Sequence, residues 1–228
     1  MRVLCIVQAR LGSSRYPNKV LADICGKPMI AHVVERARAM ETIDDVVVAC
    51  PASDVEVETL QAALAPFVSV QVCGACHQDT VLSRFVEVAQ REDVAADVVV
   101  RLTADCPLLA PDICDRVVEL FREPGRCDYA TNALPETGYI DGMDVEVFSA
   151  SFLDTSSRLI VWREDEEHVT PWLRRHGVMR VWPSGLDKPW PKLSVDTPED
   201  LDRVRLIMAK VQGVNFADTL AAAAECGL

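Results

Sequence analysis

The sequence predicts an α/β fold with a mainly parallel sheet, and three observations carry that prediction. Short, continuous apolar runs alternate with helix-period stretches through the first half of the chain. The chain has 228 residues, which suits one domain over 1–228. Half of those residues are hydrophobic and a quarter charged, the balance of a globular protein with a real core. The runs at 2–7, 45–49, 68–72 and 97–101 read as buried strands. Between them, 29–40, 55–64 and 81–90 carry helical spacing, and strand–helix–strand at this rhythm is the signature of βαβ units. Asp54 and Asp112 are the expected caps of the helices that follow them, the second running to about Phe121.

The second half is less regular and predicts an inserted lobe at about 133–190. Residues 128–132 and 145–148 read as short strands around the loop LPETGYIDG, in which Asp141 and Gly142 look like turn residues. The stretch WREDEEHVTPWLRRHG predicts helix broken near Pro171. Strands are expected at 178–182 and 192–195. Thr197 and Pro198 then suit the N-cap and first position of a last long helix.

With 35 Asp+Glu against 23 Lys+Arg, the formal net charge is −12, which argues against a broad nucleic-acid surface. A small phosphate-bearing ligand needs only a local basic cluster. No run approaches the apolar length that crosses a bilayer, and the N-terminus lacks the pattern of an export signal. A cytoplasmic protein without membrane partners is expected. The nine cysteines are therefore not a disulfide framework; Cys5, Cys25, Cys50, Cys106 and Cys114 sit in or beside apolar segments as small hydrophobes. Cys73 and Cys76 supply at most half of a zinc site.

The basic cluster sits where the first strand ends, in Q-A-R-L-G-S-S-R-Y-P-N-K. Gln8, Ala9 and Arg10 open it, Gly12, Ser13 and Ser14 are small, and Arg15 and Lys19 close it. Small residues let backbone N–H groups approach an anion, and the cations neutralise charge, which suits a triphosphate. Neither a Walker A loop nor GxGxxG fits the spacing. Asp105, in R-L-T-A-D-C-P just past the fourth strand, lies among apolar residues and needs a partner. Asp196, in V-D-T-P-E-D, precedes a helix. Two such isolated aspartates can share one hard cation such as Mg²⁺.

These segments resemble the cytidylyltransferases that make CMP-activated sugars, particularly the spore-coat-polysaccharide-type branch. Besides the first loop, the matching motifs are R-L-T-A-D-C-P-L, D-Y-A-T-N, G-M-D-V-E-V-F, E-H-V-T-P and V-D-T-P-E-D-L, in that order from Val3 to Leu201. The resemblance implies a Rossmann-like nucleotide-diphospho-sugar transferase fold, with a lobe that often makes a homodimer. It implies transfer of CMP from CTP to a sugar-acid-like acceptor for cell-surface or capsular polysaccharide synthesis. It also implies triphosphate contacts from Arg10, Ser13, Arg15 and Lys19, and Mg²⁺ on Asp105 and Asp196. Asp79 and Arg84 resemble the family's motif near the nucleoside. The acceptor is expected against Asn132, Asp144, Glu146 and His168. Two competing readings are a glycosyltransferase that uses a nucleotide sugar and a non-catalytic nucleotide-binding protein of the same fold. The cationic loop speaks against the first, and the presence of Arg15, Lys19, Asp105 and Asp196 against the second.

Overall fold

The structure is a computed structural model that describes residues 1–74, 80–91, 93, 95–186 and 190–228. In chain order, strand β1 (Val3–Gln8) leads through a 3-10 turn (Lys19–Leu21) to a small hairpin, β2 (Asp23–Ile24) and β3 (Lys27–Pro28), and then α1 (Met29–Arg38). Next come β4 (Asp45–Cys50), α2 (Asp54–Leu64), β5 (Gln71–Gly74), α3 (Val81–Gln90), β6 (Val98–Thr103) and α4 (Pro111–Arg122). The rest of the chain gives β7 (Tyr129–Thr131), β8 (Glu146–Ser149), α5 (Ala150–Leu159), α6 (Arg163–His168), α7 (Pro171–His176), β9 (Met179–Val181), α8 (Pro198–Met208) and α9 (Phe216–Glu225).

Seven strands form one sheet in the order β5-β4-β1-β6-β8-β7-β9. Its pairings are parallel except where β8 runs antiparallel to β6 and β7. Alternate residues feed two apolar layers. Val3, Cys5 and Val7 of β1 face one layer, closed by α1, α4 and α8. Leu4 and Ile6 face the other, closed by α3, α5 and α7 through Phe85, Leu153 and Leu173. The predicted α/β fold with a mainly parallel sheet is the observed one. The 133–190 stretch supplies β8 and β9 to this main sheet, together with α5–α7. Among the described residues no helix is long and apolar enough to cross a membrane.

Several local expectations are corrected. Ser53, not Asp54, caps α2, its side chain accepting from Glu56 N–H. Ala110 precedes α4 and Pro111 opens it, which leaves Asp112 inside the first turn. The third predicted strand forms three residues later than expected, because 68–70 connects α2 to it. Residues 192–195 are not a strand: Leu193 and Ser194 donate their N–H groups to the single carbonyl of Asp141. Gly142 makes that approach possible, since a Cβ there would stand 2.5 Å from Ser194 N, and its φ is +107°. Helix α9 is an additional element after α8. Cys25 is exposed in the β2–β3 turn, unlike the other four cysteines grouped with it.

Candidate active site

Strand β1 is flanked by β4 on one side and β6 on the other, so the connections leave it in opposite directions. Ligands of open α/β sheets bind in the crevice at such a reversal, beyond the strands' carboxyl ends. The loop after β1 fills that position. Ala9 N–H bonds to the Ala49 carbonyl, and Ser13 and Asn18 both donate to the Leu11 carbonyl, folding the loop back on itself. Asn18 takes a left-handed conformation (φ 57°) and turns the chain into the 3-10 turn that begins with Lys19.

That turn sends the Lys19 side chain inward. Its ammonium donates to Asp105 Oδ2 at 2.8 Å, Asp196 Oδ1 at 2.9 Å and the Val195 carbonyl at 2.7 Å. Asp105 is carried by the turn after β6, where Ala104 N–H bonds to the Gln8 carbonyl. Val195 N–H bonds to the Asp105 carbonyl and brings the second carboxylate alongside. Asp196 is then fixed by the start of α8: Thr197 and Asp200 form a capping box, and Asp200 Oδ2 also accepts from Asp196 N–H. Two aspartates that are 91 positions apart thus meet on one ammonium.

The electrostatics follow from these contacts. Burial would raise the Asp196 carboxyl, but hydrogen bonds from Lys192 and Lys19 outweigh it and hold the group at about 2. Lys192 lies 2.5 Å and Arg15 3.0 Å from Asp196. Burial lowers Lys19, yet the charge of Asp105 and the bonds to both aspartates leave it raised overall and firmly charged. Asp144 is pushed up to about 6, chiefly by burial, with the charges of Asp141, Glu146 and Asp105 adding to the shift.

Gln8, Ala9, Arg10, Ser13, Ser14, Arg15 and Lys19 line one cleft with Thr103, Asp105 and Asp196; its volume is about 170 Å³. A second cleft of about 570 Å³ shares Arg10 and continues past Gly12, Glu56, Thr80, Arg84 and Glu166. The first is too small for a whole nucleotide but suits phosphates, and the second has the size of a small-molecule site.

A family model described as cytidylyltransferase matches residues 4–204. The chain belongs to the cytidylyltransferase family. It is 30% identical over 249 residues to the 3-deoxy-manno-octulosonate cytidylyltransferase of Anaeromyxobacter sp. (strain Fw109-5), covering 91% of this chain and 97% of that one. It is also 30% identical over 219 residues to the spore coat polysaccharide biosynthesis protein SpsF of Bacillus subtilis (strain 168), covering 91% and 87%. The structure of a cytidylyltransferase from Leptospira borgpetersenii matches with a TM-score of 0.88 at 25% identity, covering 100% of this chain and 95% of that one.

In this cytidylyltransferase the first cleft gathers every residue expected at the phosphate loop except Gly12, which lines the second. Arg84 lies in the second cleft, buried on α3. Asp79 and Cys76 fall outside the described residues. None of the four acceptor-side residues lines either cleft. Asn132 is fully buried, with Nδ2 donating to the Met143 carbonyl and Oδ1 accepting from Val145 N–H, so its side chain laces β7 to the segment before β8. Glu146 is buried and ringed by Tyr129, Thr170, Arg101 and Arg174. His168 is exposed at the end of α6. Asp144 accepts from Gly142 N–H at 3.2 Å.

Sequence reasoning passed over Lys192 and Arg101. Lys192 bridges Asp196 and Asp200, and only its spacing of four from Asp196 hints at this. Arg101 had a clearer signal: a cation inside the buried run V-V-V-R-L needs a buried counter-charge.

Proposed function

We propose that this enzyme transfers CMP from CTP to a sugar acid of the 3-deoxy-manno-octulosonate type, releasing pyrophosphate, in polysaccharide biosynthesis. The observation that carries the reading is the meeting of the cationic β1 loop with Asp105 and Asp196 at the sheet's reversal point. The names of its relatives support the acceptor class. In this reading the triphosphate lies in the first cleft and the nucleoside in the second, joined at Arg10. The acceptor oxygen forms a bond to the α-phosphorus as the bond to the bridging oxygen of pyrophosphate breaks. Such a displacement needs positioning and charge neutralisation more than a protein nucleophile. Backbone N–H groups around Ser13 and Ser14 hold phosphate oxygens, while Arg10, Arg15 and Lys19 offset charge on the departing pyrophosphate.

The residues present also fit a magnesium ion. One cationic centre, the Lys19 ammonium, already touches both carboxylates, so Asp105 and Asp196 are close enough to share a cation. Two carboxylates completed by phosphate oxygens and water form a donor set that Mg²⁺ favours. When bound there, Mg²⁺ supplies Lewis-acid polarisation of the α-phosphate. Asp144 is the group we assign to the acceptor side, because the charge of Asp105 acts on its carboxyl. We also assign the reaction to the cytoplasm, where CTP is made, and to a homodimer. The exposed apolar side chains Leu159 and Trp162 support the latter.

Thermal-shift titration with CTP, UTP, ATP and GTP, each with and without Mg²⁺, tests the reading. A ligand that binds the folded state raises the melting temperature with saturation. The expected outcome is the largest rise with CTP plus Mg²⁺; equal rises with all four nucleotides contradict it.

A further inference from the structure

Gln8, Arg101 and Glu146 form a polar row across three strands. Arg101 of β6 pairs with Glu146 of β8, and Gln8 of β1 pairs with Thr103, two residues along β6 from Arg101. By the two-residue period, all three side chains lie on the face that carries Leu4, Ile6, Val99 and Phe148. An apolar sheet face therefore ends in a polar row at the edge that opens into the first cleft.

The row has a directed hydrogen-bond pattern. Glu146 is 3% exposed. Its Oε2 accepts from Arg101 Nη1, and its Oε1 from Tyr129 OH at 2.6 Å, Thr170 Oγ1 at 2.7 Å and Arg174 Nη2 at 2.5 Å. The other terminal nitrogen of Arg101, Nη2, donates to Gln8 Oε1 at 3.1 Å. A guanidinium has no acceptor, so the amide must turn its oxygen toward Arg101. Its NH₂ group is then what Gln8, a lining residue of the first cleft, offers to a ligand.

We propose that Arg101, clamped by Glu146, is a positioning residue that fixes the Gln8 amide as a hydrogen-bond donor to an oxygen of the bound nucleotide. The inference rests on the cytidylyltransferase reading above and adds to it a residue outside the phosphate loop. Resonance makes the guanidinium planar, so with Nη1 held on a buried carboxylate and Nη2 on Gln8 the two contacts share one plane.

Glu146 has a second arm. Thr170 follows Val169, which takes φ 66°, ψ −53° while fully buried, and Thr170 N–H returns to the His168 carbonyl at 2.7 Å. This is a γ-turn of the rare positive-φ kind, strained for a β-branched residue. The Thr170–Glu146 bond helps hold it, and Glu166 and Glu167 just before it line the second cleft. Replacing Glu146 would disturb both arms, so the test uses Arg101 and Gln8.

Arg101→Lys keeps a cation for Glu146 but cannot reach Gln8 with a second, coplanar nitrogen. Gln8→Ala removes the donor, and Gln8→Glu keeps a partner for Arg101 while presenting an acceptor to the nucleotide. Rates with CTP and a sugar acid, together with CTP affinity by calorimetry, are measured for wild type, the three single variants and Arg101→Lys/Gln8→Ala. We expect each single variant to lose about tenfold or more in kcat/KM. The double variant should lose no more than the worse single one, and Gln8→Glu should fall below Gln8→Ala. Multiplying losses in the double variant, or Gln8→Glu at the wild-type rate, overturn the inference while an active wild type keeps the cytidylyltransferase reading. A wild type that binds no CTP overturns both. Should Arg101→Lys fail to fold, the Gln8→Glu rate decides alone, in the same sense.

Discussion

Replacing Glu146 by glutamine removes the counter-charge of two guanidinium groups with almost no change in side-chain volume. Burial pushes the Glu146 carboxyl up, but Arg101 and Arg174 more than reverse this, and the group rests at about 2 instead of its ordinary 4.5. A displacement of that size is worth about 3 kcal/mol of folding stability at neutral pH. Breaking one side of a buried ion pair, at about 3–5 kcal/mol, points to the same range. Glu146→Gln should therefore shift the urea midpoint at pH 7 down by about 1 M. The pH dependence has a fixed sign. Because the folded-state value is depressed, the contribution is complete above about pH 4.5 and is lost as pH falls toward 2. The gap between wild type and variant should thus shrink to about half by pH 3. A gap below about 1 kcal/mol at pH 7 would refute the reasoning, as would one that stays constant from pH 7 to pH 3.

Three other substitutions test separate parts of the site. Asp105→Asn keeps volume and removes charge, so pyrophosphate release should fall about a hundredfold or more while the melting curve stays cooperative. Wild-type rates at saturating Mg²⁺ would remove Asp105 from the chemistry. Lys19→Ala should weaken CTP binding about tenfold more than CMP binding in calorimetry, since Lys19 is assigned to the departing phosphates. Asn132→Ala strands the Met143 carbonyl and Val145 N–H in the core and should cost about 2 kcal/mol in chemical denaturation, read at pH 7.

The parts of the site that the sequence displayed are those whose chemistry is local. Three cations and three small residues within twelve positions mark the β1 loop, and Asp105 stands out as a carboxylate among apolar neighbours. Glu146 is placed on the acceptor side by the resemblance, and its own segment, D-V-E-V, shows only alternation. Alternation tells which residues share a face but not what covers it. Its partners Arg101 and Arg174 lie 45 and 28 positions away. The segment at 192–195 has strand-like composition, yet its N–H groups find a turn carbonyl that only the close approach of Gly142 supplies. Helix α5, A-S-F-L-D-T-S-S-R-L, is rich in weak helix formers and is held by tertiary packing of Leu153 against the sheet. The strand order was legible only as a class, because β8 enters antiparallel between β6 and β7 after a loop without periodic signal.

The most direct test of the central claim is pyrophosphate release with CTP and a sugar-acid acceptor, run beside UTP, ATP and GTP under the same Mg²⁺ concentration. The account predicts acceptor-dependent release with CTP, well above the other three nucleotides, and a CMP-linked product by mass spectrometry. Release that is independent of the acceptor, or equal for all four nucleotides, would contradict it.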